Sequence, residues 1–172
     1  MTLTLAVLVF VTLQRLGELV IARRNTSALL ARGAYEVAAD HYGLVVGVHT
    51  AWLAGLWWLA PGQPAHLIWL AMFALLQLGR VWVLATLGER WTTRIIILPG
   101  APLIASGPYR FFSHPNYAVV IGEIAVLPLA FGLPLFAAIF TLLNAGILTI
   151  RIRAENAALA AAHLRATHGG TR

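Results

Sequence analysis

Apolar residues come in long blocks along this chain, broken by short polar and glycine- or proline-bearing stretches. Residues 3–22, "LTLAVLVFVTLQRLGELVIA", form the first block. It has the roughly 20 residues needed to cross a bilayer as a helix. A basic n-region and a small-residue cleavage site are missing, so the block reads as a retained helix, not a signal peptide. Residues 23–40 are polar and basic and read as a loop with a short interfacial helix. Residues 42–60 form a second span, closed by "PGQP", and residues 65–87 a third, closed by Gly88. Residues 88–116 are a long connection carrying Pro99, Pro102, Pro108 and Pro115. Residues 117–150 are too long for one straight span, and "PLAFGLP" divides them into two helices at a tight turn.

The pattern predicts an all-α integral membrane protein with five transmembrane helices. It is a single domain over 1–172, with a three-helix part at 1–87, a second part at 88–160 and a polar tail at 161–172. Basic residues cluster in the 23–40 loop (Arg23, Arg24, Arg32), the 88–116 loop (Arg90, Arg94, Arg110) and the tail (Arg151, Arg153, Arg165). The turns at 61–64 and 132–134 carry no charge. By the positive-inside rule the N-terminus lies outside and the C-terminus is cytoplasmic.

Composition agrees: 60% of residues are hydrophobic and 10% charged, against about a quarter charged in a soluble domain. The net charge of +6 is scattered between apolar blocks, which fits anionic headgroups and excludes a nucleic-acid-binding face. There is no cysteine, hence no disulfide, thiolate metal site or thiol nucleophile. His41 and His49, eight apart, do not have a two-ligand helix spacing, and no metal site is expected.

The 88–116 loop is longer than structureless loops in compact domains usually are. "ILPGAPLI" is too apolar for a disordered tether. It is either an ordered loop lining a pocket or a lipid-hugging connector. Asn144, Arg151 and Glu155, spaced by seven and four, share one helix face. Gln14, Arg15, Glu18, Gln77, Arg80, Glu123 and Asn144 lie inside the spans, where polar side chains must turn inward or pair. Arg15 and Glu18 are placed to pair on one helix. Structural glue between helices is the plainer reading of this set. Glu123, two turns behind "SHPNY", is a supporting or acceptor-side candidate.

"SGPYRFFSHPNYAVVIGE" followed by "RIRAEN" resembles the isoprenylcysteine carboxyl methyltransferase family of integral-membrane methyltransferases. The resemblance rests on Gly107, Tyr109, His114, Pro115, Tyr117, Arg151 and Glu155. Its motifs span roughly residues 90–160. "QRLGELVIARRN", "HYGLVVGVH" and "GERWTTRIIILPG" are similar to a bacterial branch associated with O-methylation of alkylpyrone or alkylresorcinol lipids. The resemblance implies S-adenosyl-L-methionine as donor, bound without a Rossmann domain. Leu103 and Ile104 would contact it through backbone and apolar groups, and Tyr109, His114, Pro115, Asn116, Tyr117 and Glu155 would complete its pocket. Arg151, with Glu155, would form the catalytic pair, Arg151 orienting the acceptor oxygen. Arg94, Ser113 and Asn156 depart from the family pattern. The implied partners are membrane lipids and a lipophilic acceptor, with no nucleic acid, in a bacterial inner membrane with the site facing the cytoplasm. Alternative functions are carboxyl methylation of a prenylated cysteine, phospholipid N-methylation, sterol reduction, and a non-catalytic scaffold or transporter subunit.

Overall fold

The computed structural model describes residues 2–169, with side chains to residue 160, so the polar tail read at 161–172 lies outside the residues whose side chains are described. Five α-helices carry the fold: α1 (Thr2–Ala31), α2 (Tyr42–Leu59), α3 (Leu67–Leu87), α4 (Pro115–Ala130) and α5 (Pro134–Gly169). A two-stranded antiparallel sheet joins β1 (Tyr35–Val37) to β2 (Ile95–Ile97), with Glu36 opposite Ile96. The helix count agrees with the sequence pattern. Four helices are long and apolar enough to cross a membrane. The exception is α4, whose 16 residues rise only about 24 Å, short of the ~30 Å hydrocarbon core.

Two local readings need correction. The short interfacial helix expected in 23–40 is instead the last third of α1. Nothing in Arg23–Ala31 breaks a helix; polarity alone does not end one. The stop is Gly33, whose φ of 87° suits a left-handed cap. There the Gly33 and Ala34 N–H groups return to the Leu30 and Leu29 carbonyls at 3.0 and 3.1 Å. The second correction is β1–β2. Val37 and the isoleucines of β2 favour extended backbone, and Ile95 and Ile97 turn into the core.

α4 is the central helix. It packs most extensively on α3 and α5, whereas α1 and α2 touch sparsely. Its buried face carries Val119, Glu123, Ile124, Val126 and Leu127. Of these, Ile124, Val126 and Leu127 meet Leu8 and Val11 of α1, Trp52 and Leu56 of α2 and Phe73 of α3 in one apolar core. Gly122 permits the close α3–α4 approach, since a Cβ there would lie 2.7 Å from Leu76. The outward residues are large and apolar, among them Val20, Trp58, Leu75 and Leu142, as a lipid-facing surface requires.

The polar residues inside the helices form one buried network joining α1, α3 and α4. Glu123 accepts from Arg15 at 2.6 Å, from Arg80 Nε at 2.7 Å and from Gln77 at 2.8 Å, and also meets Arg80 NH2. Glu18 accepts from Arg15 at 2.9 Å and Arg80 at 3.3 Å. Gln14 bridges Gln77 and Glu18 at 2.7 and 3.0 Å. The Arg15–Glu18 pair expected from sequence is present, inside a larger set.

The ends of the bundle differ. At one end the α1 terminus, β1–β2, the 88–114 connection and the emerging α5 meet. At the other the uncharged turns meet, where the His66 N–H donates to the Ala130 carbonyl at 2.8 Å. The basic segments thus share one end, as the charge pattern predicts.

Candidate active site

The 88–114 connection is ordered by three anchors. Asn25 of α1 donates to the carbonyls of Gly88 and Trp91 at 3.1 and 2.8 Å. Strand β2 is held by β1. Gly107, at φ 55°, seats the following 3-10 turn (Gly107–Arg110) against Trp82 and Thr86 of α3. The lipid-hugging connector is thereby excluded: the loop folds back over the bundle and walls a cavity of about 1150 Å³.

Of the residues singled out above, Leu103, Ile104, Tyr109, His114, Asn116, Tyr117, Arg151 and Glu155 all line this cavity, as do Arg94, Ser113 and Asn156. Pro115 does not; it is buried as the first residue of α4, where its missing N–H costs no helical hydrogen bond and its ring presets the turn. Leu103 is three-quarters exposed, at the rim. Glu123 also stays off the cavity wall, committed to the buried network, which removes it as an acceptor-side residue.

The α4 mouth and the emerging α5 face each other across the cavity. Tyr117 donates to Glu155 Oε2 at 2.6 Å, a charge-assisted bond. His114 stacks on Tyr117, ring centres 5.4 Å apart and 21° from parallel. The Tyr117 and Ala118 N–H groups already bond to the His114 carbonyl and Pro115 has none, which leaves the Asn116 N–H as the free first-turn donor among the described residues. Burial, and then the charge of Glu155, push the Tyr109 hydroxyl up to about 12, so it stays protonated at neutral pH. Arg151 is buried, and its NH2 donates to the Thr93 carbonyl at 3.0 Å. The rest of its five-donor fork borders the cavity.

Support for this face was missed in the sequence. Arg94 grips Glu36 at 2.7 and 2.8 Å and covers the Tyr42 ring at 4.2 Å. Tyr42 in turn meets Thr93 Oγ1 at 3.1 Å. Glu36 and Arg94 lie 58 positions apart, and only the β1–β2 pairing brings them together. Arg94 thus has a structural use at the point where it departs from the family pattern.

The cavity continues away from the loop. Thr12, Arg15, Leu16 and Leu19 of α1 and Val46, His49, Leu53 and Trp57 of α2 line its far part. Leu16, Leu19, Val46 and Trp57 are at the same time well exposed. The sparse α1–α2 contact therefore leaves a side opening toward lipid. Single-ligand pockets usually occupy roughly 300–1,000 Å³, so this space accommodates a polar molecule at the loop end together with an apolar chain in the cleft. Among the described residues no cluster of three or more His, Asp or Glu side chains could hold a metal.

Comparison with known proteins agrees with this arrangement. The family model for the isoprenylcysteine carboxyl methyltransferase (ICMT) family matches residues 69–161, more than half of the chain and all of the motif-bearing wall. The chain is 38% identical over 152 residues to the uncharacterized protein YpbQ of Bacillus subtilis (strain 168), covering 85% of this chain and 90% of the relative. No solved structure matches. With the long apolar helices and the matched wall of the cavity, the chain belongs to the isoprenylcysteine carboxyl methyltransferase family of membrane methyltransferases.

Proposed function

We propose that the protein is an S-adenosyl-L-methionine-dependent O-methyltransferase that methylates an oxygen on a lipophilic acceptor, of the alkylpyrone or alkylresorcinol type. The observation that supports it is the continuity of one cavity, from the motif residues on the loop, α4 and α5 to the lipid-facing cleft between α1 and α2. A water-soluble donor and a membrane-borne acceptor need such a space. A carboxyl-terminal prenylcysteine acceptor would also enter from lipid. The bacterial relative makes it the second choice.

The residues fit the donor. Glu155 supplies an anionic partner for a sulfonium or amine, the stacked His114 and Tyr117 supply aromatic surface, and the Asn116 N–H and side chain supply polar contacts. Ile104 and Leu103 supply apolar cover. When bound, the donor supplies a methyl group on a positively charged sulfur. Tyr117 holds Glu155 in place through its hydroxyl. Arg151, anchored to Thr93, presents its cation to the acceptor oxygen, favouring the anionic, nucleophilic form. The loop and α4 wall off that point, and a site that holds the acceptor oxygen in line with the donor's methyl group would gain its rate mainly from that alignment. In the membrane, the shared basic end of the bundle faces the cytoplasm, where the donor is available.

The test is transfer of labelled methyl from S-adenosyl-L-methionine to a bacterial membrane lipid extract by the purified protein, with the product identified by mass spectrometry. Arg151→Ala and Glu155→Ala should abolish transfer while the melting temperature stays near that of the wild type. Wild-type turnover in both variants, or no donor binding by calorimetry in detergent, refutes the proposal.

A further inference from the structure

Trp91 and Asn144 are the cavity-lining residues that hold buried side-chain polar atoms lacking a hydrogen-bond partner among the described residues. Trp91 lies on the loop wall, where its N–H adds to the donor end. Asn144 is different. It is 1% exposed, sits on α5 one turn beyond Thr141, and both its amide nitrogen and its amide oxygen are unpartnered. An unpaired amide in an apolar interior destabilises the fold. Unlike the equally unpartnered Thr141 hydroxyl, Asn144 lines the cavity, so a ligand held there can satisfy it. Ile147 and Leu148, on the same helix, line the cavity between Asn144 and Arg151.

Position narrows the ligand. Asn144 lies seven residues before Arg151 on the same face of α5, about 10 Å deeper along the axis. Arginine side chains on a helix lean toward its N-terminus, which closes part of that gap. Asn144 therefore faces the part of the cavity between the donor end and the α1–α2 cleft, where the acceptor's head must lie if the proposed activity is correct.

We infer that Asn144 reads the acceptor: its amide takes a second oxygen function on the same head, about a ring's width from the oxygen presented to Arg151. An amide offers a donor and an acceptor together, so it can pair with a hydroxyl or a carbonyl. The acceptor class is then an amphiphile whose head carries two oxygen functions, and a single-oxygen head on the same chain is discriminated against.

The probes are a 5-alkylresorcinol, with two ring hydroxyls, and a 3-alkylphenol of equal chain length, with one. Binding is read from quenching of tryptophan fluorescence, since Trp52, Trp57 and Trp91 line the cavity, and needs no turnover. Wild-type protein should prefer the diol by at least about tenfold, as expected of a site that hydrogen-bonds a hydroxyl. Asn144→Leu, similar in size but without hydrogen-bonding groups, should reduce that ratio to about one with donor affinity unchanged. Its melting temperature should equal or exceed the wild-type value, because the orphaned amide is gone. Asn144→Asp, which keeps an acceptor, should retain part of the preference. An unchanged ratio in Asn144→Leu overturns the inference. So does an equal loss for both probes with a lower melting temperature, which would make Asn144 structural, and so does failure of the diol to bind the wild type. If selectivity depends on Asn144 but no methyl is transferred and no donor binds, the methyltransferase proposal fails and this inference stands.

Discussion

Replacing Glu123 by glutamine changes one atom of a side chain that is fully buried, yet should be among the most damaging single changes in the chain. With Arg15 and Arg80 balanced by Glu18 and Glu123, the buried network is neutral. Glu123→Gln leaves it with one uncompensated positive charge. The amide oxygen can still accept from Arg80 Nε and Gln77, replacing contacts of 2.7 and 2.8 Å. Its NH2 group must then face Arg15 NH2 and Arg80 NH2, donor against donor. Removing one partner of a buried ion pair costs about 3–5 kcal/mol. At about 2–4 °C per kcal/mol for a chain of this size, the melting temperature in detergent should fall by on the order of 10 °C. The double variant Arg15→Gln/Glu123→Gln restores neutrality and should be more stable than Glu123→Gln alone, with a coupling energy of about 1–3 kcal/mol. Below the melting range, donor affinity in Glu123→Gln should match the wild type, since Glu123 is not on the cavity wall. A melting temperature within a degree or two of wild type, or strictly additive single and double variants, refutes the reasoning.

Further outcomes follow from the site. Tyr117→Phe keeps the stacked ring but loses the 2.6 Å bond to Glu155; donor affinity measured by calorimetry should weaken by roughly tenfold, the effect of about 1.5 kcal/mol in a charge-assisted bond. Gly107→Ala forces a side chain onto a left-handed backbone and into Thr86, with Trp82 Nε1 3.2 Å away; chemical unfolding should show a loss of about 1–3 kcal/mol together with weaker donor binding. Burial, and then Glu155, push the Tyr109 hydroxyl up to about 12 in the folded protein, against about 10 for a free tyrosine. A raised tyrosine pKa favours the folded state below pH 10, and that contribution is lost as pH rises from 10 through 12. Tyr109→Phe should therefore flatten the alkaline arm of the stability profile, and an unchanged arm refutes the assignment.

The helical blocks were legible because apolar length and glycine or proline stops are local signals: Gly88 and Pro134 each sit where a helix ends or begins, whereas the polar residues before Gly33 hid the true end of α1. The shared face of Asn144, Arg151 and Glu155 was legible for the same reason, since helical periodicity needs no tertiary knowledge. The β1–β2 pairing was not. Three-residue strands fall below any periodicity test, and Tyr35–Val37 sits in a stretch that polarity made look like a loop. The Glu36–Arg94–Tyr42 support depends on that pairing and was hidden with it. The buried network was half legible. Intramembrane Gln14, Arg15, Glu18, Gln77, Arg80 and Glu123 announce that they must be paired, but which carboxylate faces which guanidinium depends on helix rotation, which the nearly uniform apolarity of α1 and α3 does not specify. Glu123 looked like a site residue because it follows the motif, and its burial on the α3 side decided otherwise.

On the proposed function, the shortness of α4 lets one site serve two phases. At the uncharged end α4 is level with its neighbours, because the Phe131–Leu133 turn joins it directly to α5 and the Ala130 carbonyl ties it to His66 at the start of α3. Its whole deficit in length therefore falls at the basic end. With 16 residues against 21 in α3, α4 ends about 7 Å below the end of α3 at 1.5 Å per residue. The 98–114 loop roofs the recess. His114, Asn116 and Tyr117 are thus sunk to the depth at which α5 presents Arg151 and Glu155 and at which the α1–α2 cleft opens sideways. A full-length α4 would carry those residues up to the level of the α3 terminus, where a donor could reach them but the head of a lipid in the cleft could not. Pro115 fixes the recess: it starts the helix cleanly at that depth, and the residue before it is disfavoured from helical backbone, so α4 does not extend upward through His114. On the proposed function, the histidine-proline pair sets how deep donor and acceptor meet.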